Sequence, residues 1–289
     1  MTAKTTDGFT IPGRSKGLIE ALHERYLLNL IVHKELRVRY RGSVLGMLWS
    51  YAKPATQFLV FFIAIGQFMG MNRAITNYVV YMFAGVVVVN YFSEIFGNAT
   101  RSIVQNTPLV KKIYLPRELF PLSSVWVAMV HLFPQVLILV VGALIYGWRP
   151  GILNIAAAFA GFAIITIFAL GLGLFAGALN VMYRDAENFV DLLLMVATWA
   201  SPVLYRWEMV AKVFEGPLHW VWYLYQMNPI TPVVELFHYA FWLPTAGVTD
   251  PMPPQMGIWA VVSLVVSLLF LALGEATFRR FDGRFAQEL

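Results

Sequence analysis

"ELRVRYRGSVLGMLWSYAKP", residues 35–54, carries three arginines at alternate positions, Arg37, Arg39 and Arg41. From Val44 the chain turns mostly apolar and stays so to about Met71, with Lys53 and Pro54 interrupting the run. About 20 apolar residues suffice to cross a bilayer as a helix. Basic residues ahead of such a run fix its orientation, because Lys and Arg concentrate on the cytoplasmic side. The stretch therefore reads as the entry into a first membrane span.

The composition agrees. The 289-residue chain is 59% hydrophobic and 13% charged, with a mean hydropathy of +0.66. That charged share is about half of what a soluble domain carries, so the expected fold class is an all-α polytopic membrane protein. The first 17 residues are polar, with no short apolar block ahead of a small-residue cleavage site, so no secretory signal is expected. Without Cys there are no disulfides, Cys-ligated metals or thiol nucleophiles. The net charge of +5 would suit nucleic acid on a soluble surface, but in a membrane chain the position of each charge matters more than the sum.

Six apolar segments read as spans: 44–69, 78–96, 119–146, 152–181, 189–204 and 255–277. They divide the chain into an N-terminal region 1–43, a transmembrane domain 44–277 and a tail 278–289. The fourth segment holds Gly161, Gly171, Gly173 and Gly177. The last two are four apart, a spacing that lets helices approach closely. With the N-terminus placed in the cytoplasm, the inner segments 1–43, 97–118, 182–188 and 278–289 hold eight, four, one and three Lys or Arg, against four outside. This bias predicts a multi-pass protein of the cytoplasmic (inner) membrane with both termini inside.

Residues 218–242, "LHWVWYLYQMNPITPVVELFHYAFW", have the length of a seventh span. Pro229 and Pro232 interrupt a helix there, and a crossing would carry Arg279, Arg280 and Arg284 outside. The expectation is two short re-entrant helices hinged at Asn228–Pro229, within an outer region of about 206–243. Its ten aromatics read either as an interfacial belt or as a lid that touches cargo.

Residues 18–36 predict an amphipathic interfacial helix, with Leu18, Ile19, Leu22, Tyr26 and Leu30 on one face and Leu28 and Ile31 off the pattern. The loop "RSIVQNTPLVKKIYLPRELFP", 101–121, is a second amphipathic piece, punctuated by Pro108, Pro116 and Pro121 and too patterned for a mere turn. No G-x-x-x-x-G-K-[ST] phosphate loop and no H-E-x-x-H metal motif occurs. The five histidines are scattered, and His131, inside the third segment, reads as a hydrogen-bonded packing residue. The acidic stretch "YRDAENFVD", 183–191, reads as a solvated turn and helix cap rather than as a carboxylate pair for acid–base chemistry.

The stretch "RYRGSVLGMLWSYAKP", a basic pair followed by S-x-L-G-x-L-W and a proline, resembles the signature of ABC exporter permeases for O-antigen, teichoic acid and related polysaccharides. "NTPLVKKIYLPRELFPLSS" (106–124), "SPVLYRWEMV" (201–210) and "NPITPVVE" (228–235) resemble further regions of that family, in order along nearly the whole chain. In "ELFHYAFW" (235–242) His238 stands near a position where the family often has an arginine, so no anion-binding role is carried over to it.

The resemblance implies a permease without an ATPase site of its own, working as a homodimer with two separate ATP-binding subunits that hold ATP and Mg. The cargo would be a polysaccharide on a polyprenyl pyrophosphate; a galactan is one candidate, suggested only by similarity to such permeases. A loop of about 97–118 would couple to the ATPase through Asn106, Leu109, Lys111, Lys112 and Arg117, its basic residues either pairing with acidic groups there or simply enforcing topology. Arg37, Arg39 and Arg41 would either grip the pyrophosphate, which suits guanidinium forks, or serve topology and contact membrane lipid. Pro54 would kink the first span, and Lys53 would snorkel or face a wet channel. Trp49, Tyr51, Phe58, Trp199 and Tyr205 would contact the passing glycan, or merely pack. A permease of the same superfamily exporting a drug or small lipid, and a membrane-embedded glycosyltransferase, are the alternatives; the second lacks a convincing carboxylate pair. No cofactor, metal or nucleic acid is expected on this chain.

Overall fold

A computed structural model describes residues 17–113, 115–247 and 252–289, with the side chains of Met47, Ser50 and Lys53 outside that description, so the reading of Lys53 lies outside the described residues. Among the described residues there are helices and turns and no strand. Such backbone suits a lipid environment because each helix satisfies its own hydrogen bonds.

The chain opens with α1 (Leu18–His23) and α2 (Arg25–Tyr40). Their buried residues, Leu18, Ala21, Leu28, Ile31 and Val32, pack on the protein. Ile19, Leu22, Tyr26 and Leu30 are exposed. Most of the expected apolar face therefore points outward, and the residues read as off-pattern hold the helix down. This helix has two apolar stripes, not one.

The first apolar segment forms α3 (Trp49–Phe61), continued by a π-helical stretch Phe62–Phe68, and then the short α4 (Met71–Ala74). Pro54 sits within α3, and the helix runs on past it. The next helix, α5 (Tyr78–Gln105), is the centre of the molecule, most of its apolar stretch being buried. At about 1.5 Å per residue, its 28 residues outrun a hydrocarbon core of about 30 Å.

Then come α6 (Thr107–Lys112), α7 (Leu119–Ile145), α8 (Ile152–Met182) and α9 (Ala186–Ala197). Pro108 and Pro121 open α6 and α7, in first turns where a missing N–H costs nothing. The fifth apolar segment stays helical only to Ala197. Beyond it the chain turns, and the phenols of α5 take its carbonyls: Tyr78 donates to Leu204 at 3.1 Å, and Tyr81 donates to Pro202 at 3.1 Å and Tyr205 at 2.8 Å.

After α10 (Trp207–Val213), the 218–242 segment divides into α11 (His219–Met227) and α12 (Ile230–Phe237). The break falls at Asn228, whose backbone is extended, and Pro229, which caps α12. Pro232 does not break α12; it lies in its first turn. All eight residues of α12 are buried. Trp242, on the π-helical turn His238–Trp242, donates to the Thr76 carbonyl at 2.7 Å. This part of the aromatic region is core, so it cannot act as a lid. The chain closes with α13 (Leu243–Ala246), α14 (Met256–Phe281) and α15 (Phe285–Glu288).

Among the described residues four helices, α5, α7, α8 and α14, are long and apolar enough to span a membrane. Glycine lets three of them touch. A Cβ at Gly171 would lie 2.5 Å from the Leu271 nitrogen of α14, and one at Gly173 would lie 2.5 Å from the Ala99 Cβ of α5. A Cβ at Gly274 would overlap the Gly171 carbonyl. Gly177 also faces α5, its Cβ position 3.0 Å from the Ala99 carbonyl.

Candidate functional site: a polar cavity between spans

A cavity of about 690 Å³ lies between α3, α5 and α7, with the end of α2 across it. Its polar wall follows from helical spacing. Asn90, Glu94, Asn98 and Arg101 recur every three or four residues along one face of α5, and His131 and Gln135 are four apart on α7. A face of amides and charges inside a membrane helix is costly unless partnered or wet.

The structure supplies the partners. Arg39, in the last turn of α2, pairs through Nη1 with Glu94 Oε1. Its Nη2 donates to Asn98 Oδ1 at 3.0 Å. Asn98 Nδ2 donates to Glu94 Oε1 at 2.7 Å. His131 Nδ1 lies 3.1 Å from the same oxygen, and its Nε2 lies 2.6 Å from the Tyr40 hydroxyl. The tautomer consistent with this pairing carries the proton on Nδ1 and accepts from Tyr40 on Nε2. His131 is thus hydrogen-bonded, as its sequence context implied. Deeper along α5, Arg101 Nη2 reaches both oxygens of Asp191 at 2.6 Å, with Glu187 3.7 Å from Nε. The stretch 183–191 is therefore a clamp on Arg101 and not only a solvated turn.

Two smaller cavities adjoin. One, about 250 Å³ and apolar, is lined by Tyr51, Phe58, Val80 and Phe83 and shares Pro54 and Gln135 with the large cavity. The other, about 210 Å³, is lined by Glu35, Ser102 and Ser123 and shares Arg39 and Asn98. Both adjoin the large cavity, whose wall carries the Arg39–Glu94–His131 cluster, and Arg39 and Asn98 stand where the two polar cavities meet.

Of the expected cargo residues, Arg39 and Trp49 line the large cavity, and Tyr51 and Phe58 the apolar one. Arg37 and Arg41 are exposed and line none of the three. Helical geometry separates alternate positions, so the three arginines do not act as one row. Trp199 and Tyr205 also lie off the cavities: Trp199 is exposed and edge-on to Phe61, and the Tyr205 hydroxyl donates to its carbonyl at 2.7 Å. Glu94, Asn98 and Gln135 are the residues that sequence reasoning missed; the polar repeat Asn90–Glu94–Asn98, running out of the end of the predicted span 78–96, was the available signal.

The expected coupling residues divide as well. Lys111 and Lys112 are exposed in the last turn of α6, and Leu109 is half-buried. Asn106 faces inward instead, where it receives a hydrogen bond from Lys34 and donates to Glu35 at 3.0 Å. Arg117 also faces inward, 3.0 Å from the Asp282 carboxylate and 5.9 Å from the Phe285 ring centre. Beside it Glu118 is fully buried with neither oxygen hydrogen-bonded. Burial first, then the charges of Asp282 and Glu275, push its carboxyl up to about 7.

A helical membrane domain with a polar cavity between its spans, and a short basic helix standing outside them, has the make-up of a transporter's membrane component. The chain belongs to the ABC-2 type transporter family, whose model matches residues 26–242. It is similar to the O-antigen export system permease protein RfbA of Klebsiella pneumoniae, 31% identical over 192 residues, covering 65% of this chain and 72% of that protein. The RfbA of Myxococcus xanthus is 26% identical over 258 residues, covering 88% and 95%. The polysialic acid transport protein KpsM of Escherichia coli is 22% identical over 208 residues, covering 70% and 76%.

Proposed function

We propose that this chain is the permease half of an ATP-driven exporter that moves a polyprenyl-pyrophosphate-linked polysaccharide across the cytoplasmic membrane. The observation that carries this reading is the succession of cavities: a polar chamber with a guanidinium at its edge, suited to an anionic headgroup and sugar hydroxyls, and an apolar chamber beyond it. The names of the relatives point to polysaccharides as cargo. Two copies with two ATP-binding subunits form the working unit, and ATP and Mg belong to those subunits.

In this reading α3 with its π-helical continuation, and α9 with the turns that follow it to Leu204, complete six crossings, α11 and α12 re-enter from the outer face, and both termini are cytoplasmic. Residues 1–43 form the cytoplasmic N-terminal region, with the outward apolar stripe of α1 and α2 on the bilayer surface, and the end of the chain forms a cytoplasmic tail. Arg39, Trp49, Tyr51 and Phe58 contact cargo, and Lys111 and Lys112 face the ATPase.

The test is deletion and complementation. Loss of the gene should strip the lipid-linked glycan from the cell surface and accumulate it inside, and only co-expression with the ATP-binding subunit should restore export. Normal surface glycan in the deletion strain overturns the reading. So does ATP hydrolysis by the chain purified alone.

A further inference from the structure

Resting on the headgroup role proposed for Arg39, we propose that Glu94 is an internal stand-in for the cargo's diphosphate: its carboxylate holds the Arg39 guanidinium until a diphosphate takes its place.

The Arg39–Glu94 pair is built for exchange. Guanidinium–carboxylate pairs are strongest when they engage both prongs of the fork or both carboxylate oxygens. The clamp between Arg101 and Asp191 does so, reaching two oxygens at 2.6 Å. Arg39 gives Glu94 one nitrogen only and spends the other on the neutral amide of Asn98. The two side chains remain about a third exposed, 34% and 29%, so a solute in the cavity reaches them. A diphosphate offers more charge and more oxygens than one carboxylate oxygen, and it matches the fork.

Glu94 also has somewhere to stay. Its Oε1 is shared among three donors: Arg39, Asn98 and His131. When Arg39 turns away, the other two remain, so no bare carboxylate is left inside a membrane helix. Arg39 Nη1 and His131 Nδ1 lie 3.1 Å apart and compete for that oxygen. With the Nδ1 proton directed at Glu94, this contact sets two donors against each other, and departure of Arg39 relieves it. Tyr40 holds the far side of the imidazole and keeps His131 in place. Because Arg39 lines two of the cavities, the same turn shifts the wall between them. The exchange thus ties headgroup arrival to the opening of the path.

The test uses the full chain in phosphatidylcholine nanodiscs, with inorganic pyrophosphate and geranylgeranyl diphosphate as probes. Glu94→Gln should bind either probe about tenfold more tightly than the unmodified chain, because Arg39 no longer has a competing anion, and Arg39→Gln should lose binding in either background. A stronger gain with the prenyl probe identifies a lipid headgroup as the ligand; a gain with pyrophosphate alone identifies a soluble diphosphate. Should Glu94→Gln fail to fold, Glu94→Asp, which keeps the charge but shortens the reach, should bind a few-fold more tightly; equal or weaker binding overturns the stand-in. If Glu94→Gln binds no better than the unmodified chain while Arg39→Gln binds nothing, the stand-in is wrong and the headgroup role of Arg39 survives. If Arg39→Gln binds either probe normally, the headgroup role itself fails.

Discussion

Arg117, in the connection between α6 and α7, donates to the Asp282 carboxylate at 3.0 Å across 165 residues of sequence. It also donates to the Asp282 carbonyl and lies over Phe285, while Phe285 packs edge-on against Phe278 at 5.1 Å. The end of the chain is thereby strapped to the base of α7. Removing one partner of a buried ion pair strands the other's charge. Asp282→Asn and Arg117→Gln should each lower stability by roughly 3–5 kcal/mol, and the double variant should cost less than the sum. Thermal unfolding in detergent reads this. Additive losses would mean that the pair is incidental.

Glu118, next to that strap, makes stability depend on pH. Its folded value of about 7 exceeds the unfolded value of about 4.3. The folded chain then binds more protons between those values, so this carboxyl's contribution to stability declines as pH rises from about 4.3 to about 7 and is level beyond. Glu118→Gln should unfold at a higher temperature than the unmodified chain at pH 8 and at the same temperature near pH 4. Equal curves at pH 8 would place a partner on the carboxylate.

Lys111 and Lys112 are the basic residues of α6, at its exposed end. If they face an acidic surface on the ATP-binding subunit, Lys111→Glu with Lys112→Glu should abolish copurification of that subunit while the permease still inserts. Full recovery of the complex would leave them with a topological role only.

Gly171 and Gly274 permit backbone contact between α8 and α14. Gly274→Ala should cost about 1–3 kcal/mol or more through overpacking. Gly142→Ala, on α7 with open space at its Cβ, should be neutral or slightly stabilising, since alanine favours the helix by about 1 kcal/mol. Thermal unfolding of the two variants side by side decides it.

Among the arginines, Arg39→Lys should reduce glycan export more than Arg37→Lys or Arg41→Lys, because only Arg39 reaches the cavity. Surface glycan is the readout, with protein level checked in parallel. Normal export from all three would return the basic run to a purely topological role.

Much of this was legible in the sequence, because hydropathy and helix breakers act locally. The four long spans came from apolar length alone, and the break at Asn228–Pro229 from proline chemistry. Gly173 as a packing position came from small-residue spacing. What stayed hidden depends on which face meets what. The sequence of α1 and α2 shows one clear stripe, suited to the bilayer surface, whereas Leu28 and Ile31, off that stripe, are the residues that pack. Asn106 and Arg117 lie in a basic, polar loop, and nothing local reveals that Glu35 and Asp282 draw them inward. Glu94 was passed over because one acid near the end of an apolar run gives no hint of Arg39, 55 residues earlier.

The glycine contacts carry a mechanical consequence. α8 meshes with α14 through Gly171 and Gly274, and with α5 through Gly173 and Gly177. Helices in backbone contact cannot slip by a residue without driving a side chain into a neighbour's main chain. These three therefore form a stator. Among the described residues, the wall of the path contributed by α3 has no such glycine interlock: its Phe58 meets the Phe83 ring edge-on, at 5.0 Å, and its continuation is a widened π-helix. In the exporter proposed above, that wall is the part able to give way while the stator stays fixed.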